Sequence, residues 1–159
     1  MDADRELTPD TAVPAMPTPA DLIGSWDLVS WDFAVDDHPR PHGFGDRVRG
    51  QLLYLADGHM SAILSDPDRA PTSAEPLAAA PEHERAEAAR AYVSYGGTWS
   101  LRGDEVVHHV AFCLLPNWVG TDLVRTVGWQ DRQLVLSTAP EQDTLGRTVT
   151  NRLVWRRAG

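Results

Sequence analysis

Apolar residues recur at every second position through most of this chain, in runs interrupted by Gly, Pro, Asp and Asn. That pattern belongs to half-buried strands joined by turns. It predicts strands over Ser25 to Phe33, two within Gly50 to Leu64, and others over Gly97 to Leu101, Val106 to Leu115, Thr121 to Trp129, Leu134 to Ser137 and Val149 to Arg156. One stretch has helical signals instead, PEHERAEAARAYVSY from Pro81 to Tyr95, with Pro at the first helical position, acids in the first turn and Gly96-Gly97 beyond its end. Its apolar face, Ala86, Ala89 and Val93, is narrow and small, and Tyr92 and Tyr95, three residues apart, would be surface neighbours near its end. Pro19 to Gly24 reads as one helical turn leading into the first strand. Consecutive strands joined by hairpins, with one helix inserted, predict a mainly β fold. The expected architecture is a single antiparallel up-and-down barrel of about eight strands, which leaves no exposed edge.

Side-chain alternation then assigns faces. Asp57-Gly58 between alternating runs predicts a type I′ hairpin, pairing Leu55 with Met60, Tyr54 with Ser61 and Leu53 with Ala62. Leu53, Leu55, Met60, Ala62 and Leu64 would form an apolar face, and Leu52, Tyr54, His59, Ser61 and Ile63 a mixed one suited to solvent or a ligand. A second hairpin runs from His108 to Arg125 about a Pro116-Asn117-Trp118 elbow. With Leu115 opposite Thr121, His109, Ala111, Cys113, Leu123, Arg125 and Val127 share the face expected to line a cavity. His108, Val110, Phe112 and Val124 share the other, and a slip of one residue exchanges the two. In the first strand Trp26 and Leu28 oppose Val29, Trp31 and Phe33; with Trp26 pointing in, Trp31 and Phe33 face out and favour a homodimer.

At 159 residues the chain suits one domain, residues 20–159, behind a Pro- and Thr-rich leader over residues 1–19. The formal net charge is −9, and every basic residue apart from histidine is arginine. With no basic cluster, neither nucleic acid nor an anionic membrane surface is an expected partner. No apolar run is long enough to span a bilayer and no signal peptide is evident, so a cytoplasmic location is expected. The lone Cys113 excludes an internal disulfide and sits within a strand, as a buried structural thiol would. His38, His42, Asp36 and Asp37 share the loop from Ala34 to Arg49, but not at a spacing that assembles a metal site, and no metal or cofactor motif stands elsewhere.

Leu22-Ile23-Gly24-Ser25-Trp26, Gly50-Gln51-Leu52-Leu53-Tyr54, Asp57-Gly58-His59-Met60, Tyr95-Gly96-Gly97-Thr98-Trp99, the Pro116 to Asp122 elbow and Leu153-Val154-Trp155-Arg156-Arg157 occur in that order. This set resembles the bacterial lipocalin-like domain family of calycin-type barrels. The resemblance implies that Trp26 plugs the closed end of the barrel, with Arg152 or Arg156 beside it. Some similar barrels are polyketide cyclases or cycloaddition enzymes, and others only bind ligands.

These readings converge on a cofactor-independent cyclase or isomerase acting on a hydrophobic, polyketide-like intermediate, possible chemistry including an intramolecular Diels-Alder cycloaddition. Enclosure in an apolar cavity folds a flexible substrate, and one or two hydrogen bonds polarise its carbonyl. The expected catalytic residues are Tyr54 and Arg125 as carbonyl donors and His109 as a second donor or general base. Met60, Ser61, Tyr95, Trp99, Phe112, Asn117 and Trp118 are expected to contact the substrate. The alternative is a non-catalytic carrier or sensor of a small hydrophobic ligand, since one apolar pocket serves either role. A hydrolase fares worst, for no serine stands in a nucleophile elbow.

Overall fold

The computed structural model describes residues 16–40 and 44–159; residues 1–15 of the leader, and His42, lie outside the described residues. The strands are β1 (Gly24–Val35), β2 (His38–Arg40), β3 (Arg49–Tyr54), β4 (His59–Ser65), β5 (Tyr92–Arg102), β6 (Glu105–Cys113), β7 (Asp122–Gln130), β8 (Gln133–Ser137), β9 (Glu141–Gln142) and β10 (Thr148–Arg157). They form one sheet in the order β2-β1-β3-β4-β5-β6-β7-β8-β10-β9, and β1 also pairs with β10. Eight strands therefore close an antiparallel barrel, while β2 and β9 are appended outside it. A short helix α1 (Pro19–Leu22) precedes β1, and the main helix α2 (Glu82–Arg90) is inserted between β4 and β5. The short turns at residues 55–58, 103–104 and 131–132 gather at one end of the barrel, and the long connections 66–91, 114–121 and 138–147 at the other.

The short-turn end is sealed. Trp26 is buried, donates its indole N–H to the Leu22 carbonyl at 2.8 Å, and lies 6.1 Å from the ring of Trp129. The expected arginine beside it is Arg157, the direct cross-strand partner of Trp26, rather than Arg152 or Arg156. Its guanidinium stands 4.3 Å over the indole and donates to the carbonyls of Ile23 and Asp21 at 2.8 Å each. Arg152 is on the outer wall, 3.1 Å from Asp32.

Three local irregularities reassign the faces that simple alternation predicts. The β3–β4 turn is a three-residue loop, Ala56 to Gly58, closed by Leu55 N–H donating to the His59 carbonyl at 2.9 Å. Only Gly58 of these has positive φ, at 89°, whereas a type I′ turn needs two such residues. Tyr54 thus pairs with Met60, and Leu52, Tyr54, Met60, Ala62 and Leu64 all point inward and are buried. The single-residue shift puts the larger apolar set in the core and turns Leu53, Leu55 and Ser61 outward.

In the β6–β7 ladder His108 pairs with Leu123 and His109 with Asp122; the predicted pairing of Leu115 with Thr121 does not occur. The offset is odd, so His108 rather than His109 shares the inner face with Leu123, Arg125 and Val127. A bulge at Ala111, opposite Gly96/Gly97, flips the rest of β6. Gly97 makes that crossing possible, since a Cβ there would lie 2.0 Å from the His109 carbonyl oxygen. The third irregularity, a bulge at Val29, changes the phase of β1 between Leu28 and Ser30. Trp31 consequently turns into the barrel, and the outward Trp31 on which the homodimer expectation rested is not observed.

Helix α2 stops at Arg90, before Tyr92 and Tyr95, and buries none of its residues. The run Tyr92-Val93-Ser94-Tyr95 is β-branched and aromatic, and it extends β5 against β4, with Tyr95 paired to Ala62. The two tyrosines therefore lie on opposite faces of a strand. Tyr92 is outside beneath the Arg69 guanidinium, 4.6 Å from the ring centroid.

Candidate functional site

Above the sealed core the barrel holds a cavity of about 310 Å³, at the small end of ligand pockets. Leu52, Ala62, Leu64, Leu136, Leu153 and Trp31 supply apolar wall. Polar groups come from Tyr95, His108 and Arg125 on the adjacent strands β5, β6 and β7, from Thr138, Glu141 and Asn151, and from Trp155 on β10.

His108 is the only polar or charged residue among the buried ones described. Its Nε2 lies 2.6 Å from the Tyr54 hydroxyl and its Nδ1 3.0 Å from the Tyr95 hydroxyl. Burial, reinforced by the Arg125 charge and then by His109, holds its pKa down to about 3, so the imidazole is neutral at physiological pH. A neutral imidazole donates from one nitrogen and accepts at the other. Tyr54 is fully buried and lines no part of the cavity, so its proton has His108 Nε2 as its acceptor. Nδ1–H then donates to the Tyr95 oxygen, which leaves the Tyr95 proton free for a group in the cavity. Burial raises the pKa of Tyr54 well above the ordinary phenol value; it also raises that of Tyr95, where Arg125 pulls the other way. Both phenols are therefore protonated donors at neutral pH.

Arg125 is half-buried and donates to the Val124 carbonyl at 2.8 Å. Among the described residues no carboxylate comes within 4.0 Å of it. Trp118, on the elbow, reaches back over the cavity and meets Tyr95 edge-on at 5.9 Å.

Of the expected site residues, Arg125, Tyr95 and Trp118 thus meet in the cavity, with Tyr54 behind them as the support of His108. The others lie elsewhere. Met60 is in the sealed core, and Trp99 packs 4.8 Å from Tyr54 with its indole N–H on the Leu55 carbonyl at 3.1 Å. Ser61 faces the outer wall, Asn117 is exposed on the elbow, and Phe112 is 74 % exposed beyond the bulge.

His109 stands outside the barrel, with Nδ1 2.7 Å from Asp122 Oδ1 and Nε2 2.9 Å from Ser100 Oγ. Carboxylate, imidazole and hydroxyl in that order form the connectivity of a hydrolytic triad. A triad also needs a substrate pocket and oxyanion donors, and Ser100 does not line the cavity. The His109 and Asp122 side chains are 42 % and 59 % exposed, which makes this a surface pairing screened by water.

His108, Trp31, Asn151 and Trp155 escaped the sequence reading. His108 was recoverable from the one-residue slip, and Asn151, Leu153 and Trp155 share one face of an unbroken alternating run. Trp31 depended on a bulge that no turn residue marks.

A closed antiparallel barrel with an apolar, partly polar-lined cavity is a domain for handling small molecules. The chain belongs to the lipocalin-like domain family, whose model matches residues 23–158. No curated protein and no solved structure matches it. Among the described residues no helix is long and apolar enough to cross a membrane.

Proposed function

We propose that this barrel is a cofactor-independent cyclase that closes a ring in an apolar, carbonyl-bearing, polyketide-like substrate. The observation that carries this reading is the pair of donors on the wall of a largely apolar cavity, the Tyr95 hydroxyl and the Arg125 guanidinium, the latter without a carboxylate within 4.0 Å among the described residues. Donors placed this way withdraw electron density from a substrate carbonyl and stabilise negative charge developing on its oxygen. The aliphatic walls hold the chain folded, which removes much of the entropic barrier to an intramolecular reaction.

The polar wall favours cyclisation over isomerisation by proton abstraction. A base must accept a proton near neutral pH. With its pKa at about 3, His108 is a poor one, Tyr54 and Tyr95 are protonated, and Glu141, the one carboxylate of the lining, is exposed rather than enclosed with the donors. His108 instead aligns Tyr95. An intramolecular cycloaddition polarised by hydrogen bonds needs no base and suits this set.

The test incubates trace protein with the metabolite extract of a strain lacking it, followed by chromatography with mass detection. An isomer of equal mass appearing in many-fold excess over protein is the expected result. Depletion of one compound only one for one with protein, and its unchanged return on denaturation, would overturn catalysis in favour of a carrier.

A further inference from the structure

Beside the cavity, at the open end of the barrel, lies a second apolar space. It is a groove between helix α2 and the elbow, and its lining includes Ala86, Ala89, Val93, Cys113, Leu115 and Trp118. Val93 and Trp118 line the cavity as well, and Cys113 is the cross-strand partner of Tyr95 on the cavity wall. The two spaces are therefore neighbours, with the Trp118 ring at their boundary.

The groove is apolar and open. Helix α2 buries none of its residues, and Leu114 and Leu115 are each 45 % exposed. Arg90, the one charged residue of the groove lining, is paired with Glu87. The enclosed cavity, by contrast, is short of room: at roughly 30 Å³ for each water-sized group, its 310 Å³ takes about ten of them. A longer chain must leave the cavity, and the groove is the apolar surface adjoining it.

Trp118 is free to yield to such a chain. Trp26, Trp31 and Trp99 tie their indole N–H groups to acceptors at 2.8, 2.8 and 3.1 Å. Trp118 meets Tyr95 edge-on at 5.9 Å and makes no indole hydrogen bond among the described residues. Its backbone is held, since Trp118 N–H donates to the Leu115 carbonyl at 3.1 Å and the Thr121 hydroxyl to the Trp118 carbonyl at 2.8 Å. The ring can turn about its own side-chain bonds while the elbow stays in place.

We infer that the substrate is longer than the cavity, with its carbonyl end beside Tyr95 and Arg125 and its hydrocarbon tail passing Trp118 into the groove between α2 and the elbow. This rests on the cavity being the substrate site. A hydrocarbon suits the groove because covering Ala86, Ala89 and Leu115 makes each added methylene favourable. A peptide would bring backbone donors and acceptors that these side chains cannot pair.

Decanoate, which the cavity can enclose, and hexadecanoate, which overfills it, test this. Their binding is followed in ¹H–¹⁵N correlation spectra, with the Trp31 indole assigned from W31F, and by calorimetry. Both acids are expected to shift the Trp31 indole, and only hexadecanoate the amides of Ala86, Ala89 and Leu115. Hexadecanoate should bind at least tenfold more tightly than decanoate. A89W, or A86W if the first does not fold, fills the groove outside the cavity; it should bring hexadecanoate down to the affinity of decanoate and leave decanoate unchanged. Equal affinity of the two acids, groove amides that ignore hexadecanoate while Trp31 responds, or a tenfold gain that survives both variants overturns the inference. If neither acid moves Trp31, the cavity reading beneath it falls.

Discussion

The Tyr54 hydroxyl lies 2.6 Å from Nε2 of His108, with both side chains buried at the base of the cavity. That contact decides the tautomer of the imidazole and, through Nδ1, the direction of the Tyr95 proton. Replacing Tyr54 with Phe leaves a buried nitrogen without its donor. The variant is expected to lose about 1–3 kcal/mol of stability, the usual cost of such an orphan. Urea unfolding of wild type and Y54F at neutral pH measures it, and unchanged stability would show that the bond is not formed.

The same burial makes folding acid-sensitive. His108 has a folded pKa of about 3 against 6.5 when unconstrained, so between those values the unfolded chain binds the extra proton. Stability is therefore full above about pH 6.5 and falls as the pH drops toward 3. The slope approaches about 1.4 kcal/mol per pH unit, for a total on the order of 4 kcal/mol. His108→Gln should flatten the stability profile over this window; carboxylates titrating below pH 5 will add a slope common to both proteins.

Arg125→Gln and Tyr95→Phe each remove one donor from the proposed reacting carbonyl. Turnover should fall by roughly 10–10³-fold in each, with a larger loss in kcat than rise in KM. His109→Ala removes a group on the outer wall and should leave both constants near wild type. Steady-state kinetics on the isolated substrate distinguish these outcomes, and a strong His109 effect with a weak Arg125 effect would invert the assignment.

Trp26→Ala should cost about 3–5 kcal/mol, because it opens a cavity at the sealed end and removes the ring beneath Arg157. Thermal unfolding of a ligand-free sample reads it out.

Gly97→Ala puts a methyl group 2.0 Å from the His109 carbonyl oxygen, backbone that cannot rotate aside. The bulge at Ala111 has to shift, so a destabilisation of at least about 1–3 kcal/mol is expected. Amide exchange should quicken around residues 109–113. Normal protection there would mean that the bulge is already loose.

The barrel was legible in the sequence because alternation, turn residues and a strand count of about eight leave few other ways to bury so many half-apolar strands. Arg125, Tyr95 and Trp118 were legible as candidates for the cavity wall, Arg125 as a permanent charge on an otherwise apolar strand, Trp118 as the aromatic of the elbow, and Tyr95 as a phenol read at a helix end rather than on β5. The faces were less secure. An alternating strand reads equally well in two phases, and the phase was decided by single residues inserted at Val29 and Ala111 and by one more residue in the loop at Gly58.

Sequence by itself thus determined most of the strands, their antiparallel succession and the apolar character of the interior, which follow from local periodicity and composition, while the plugging role of Trp26 came from the resemblance to lipocalin-like domains. Tertiary structure alone decided that His108 and not His109 enters the barrel, that Trp31 faces in, that Arg157 covers Trp26, and that Trp155 joins Tyr95 on the cavity wall. Those are matters of register and closure, in which a one-residue step reverses a side chain's direction, and only the packing of distant strands selects between the two.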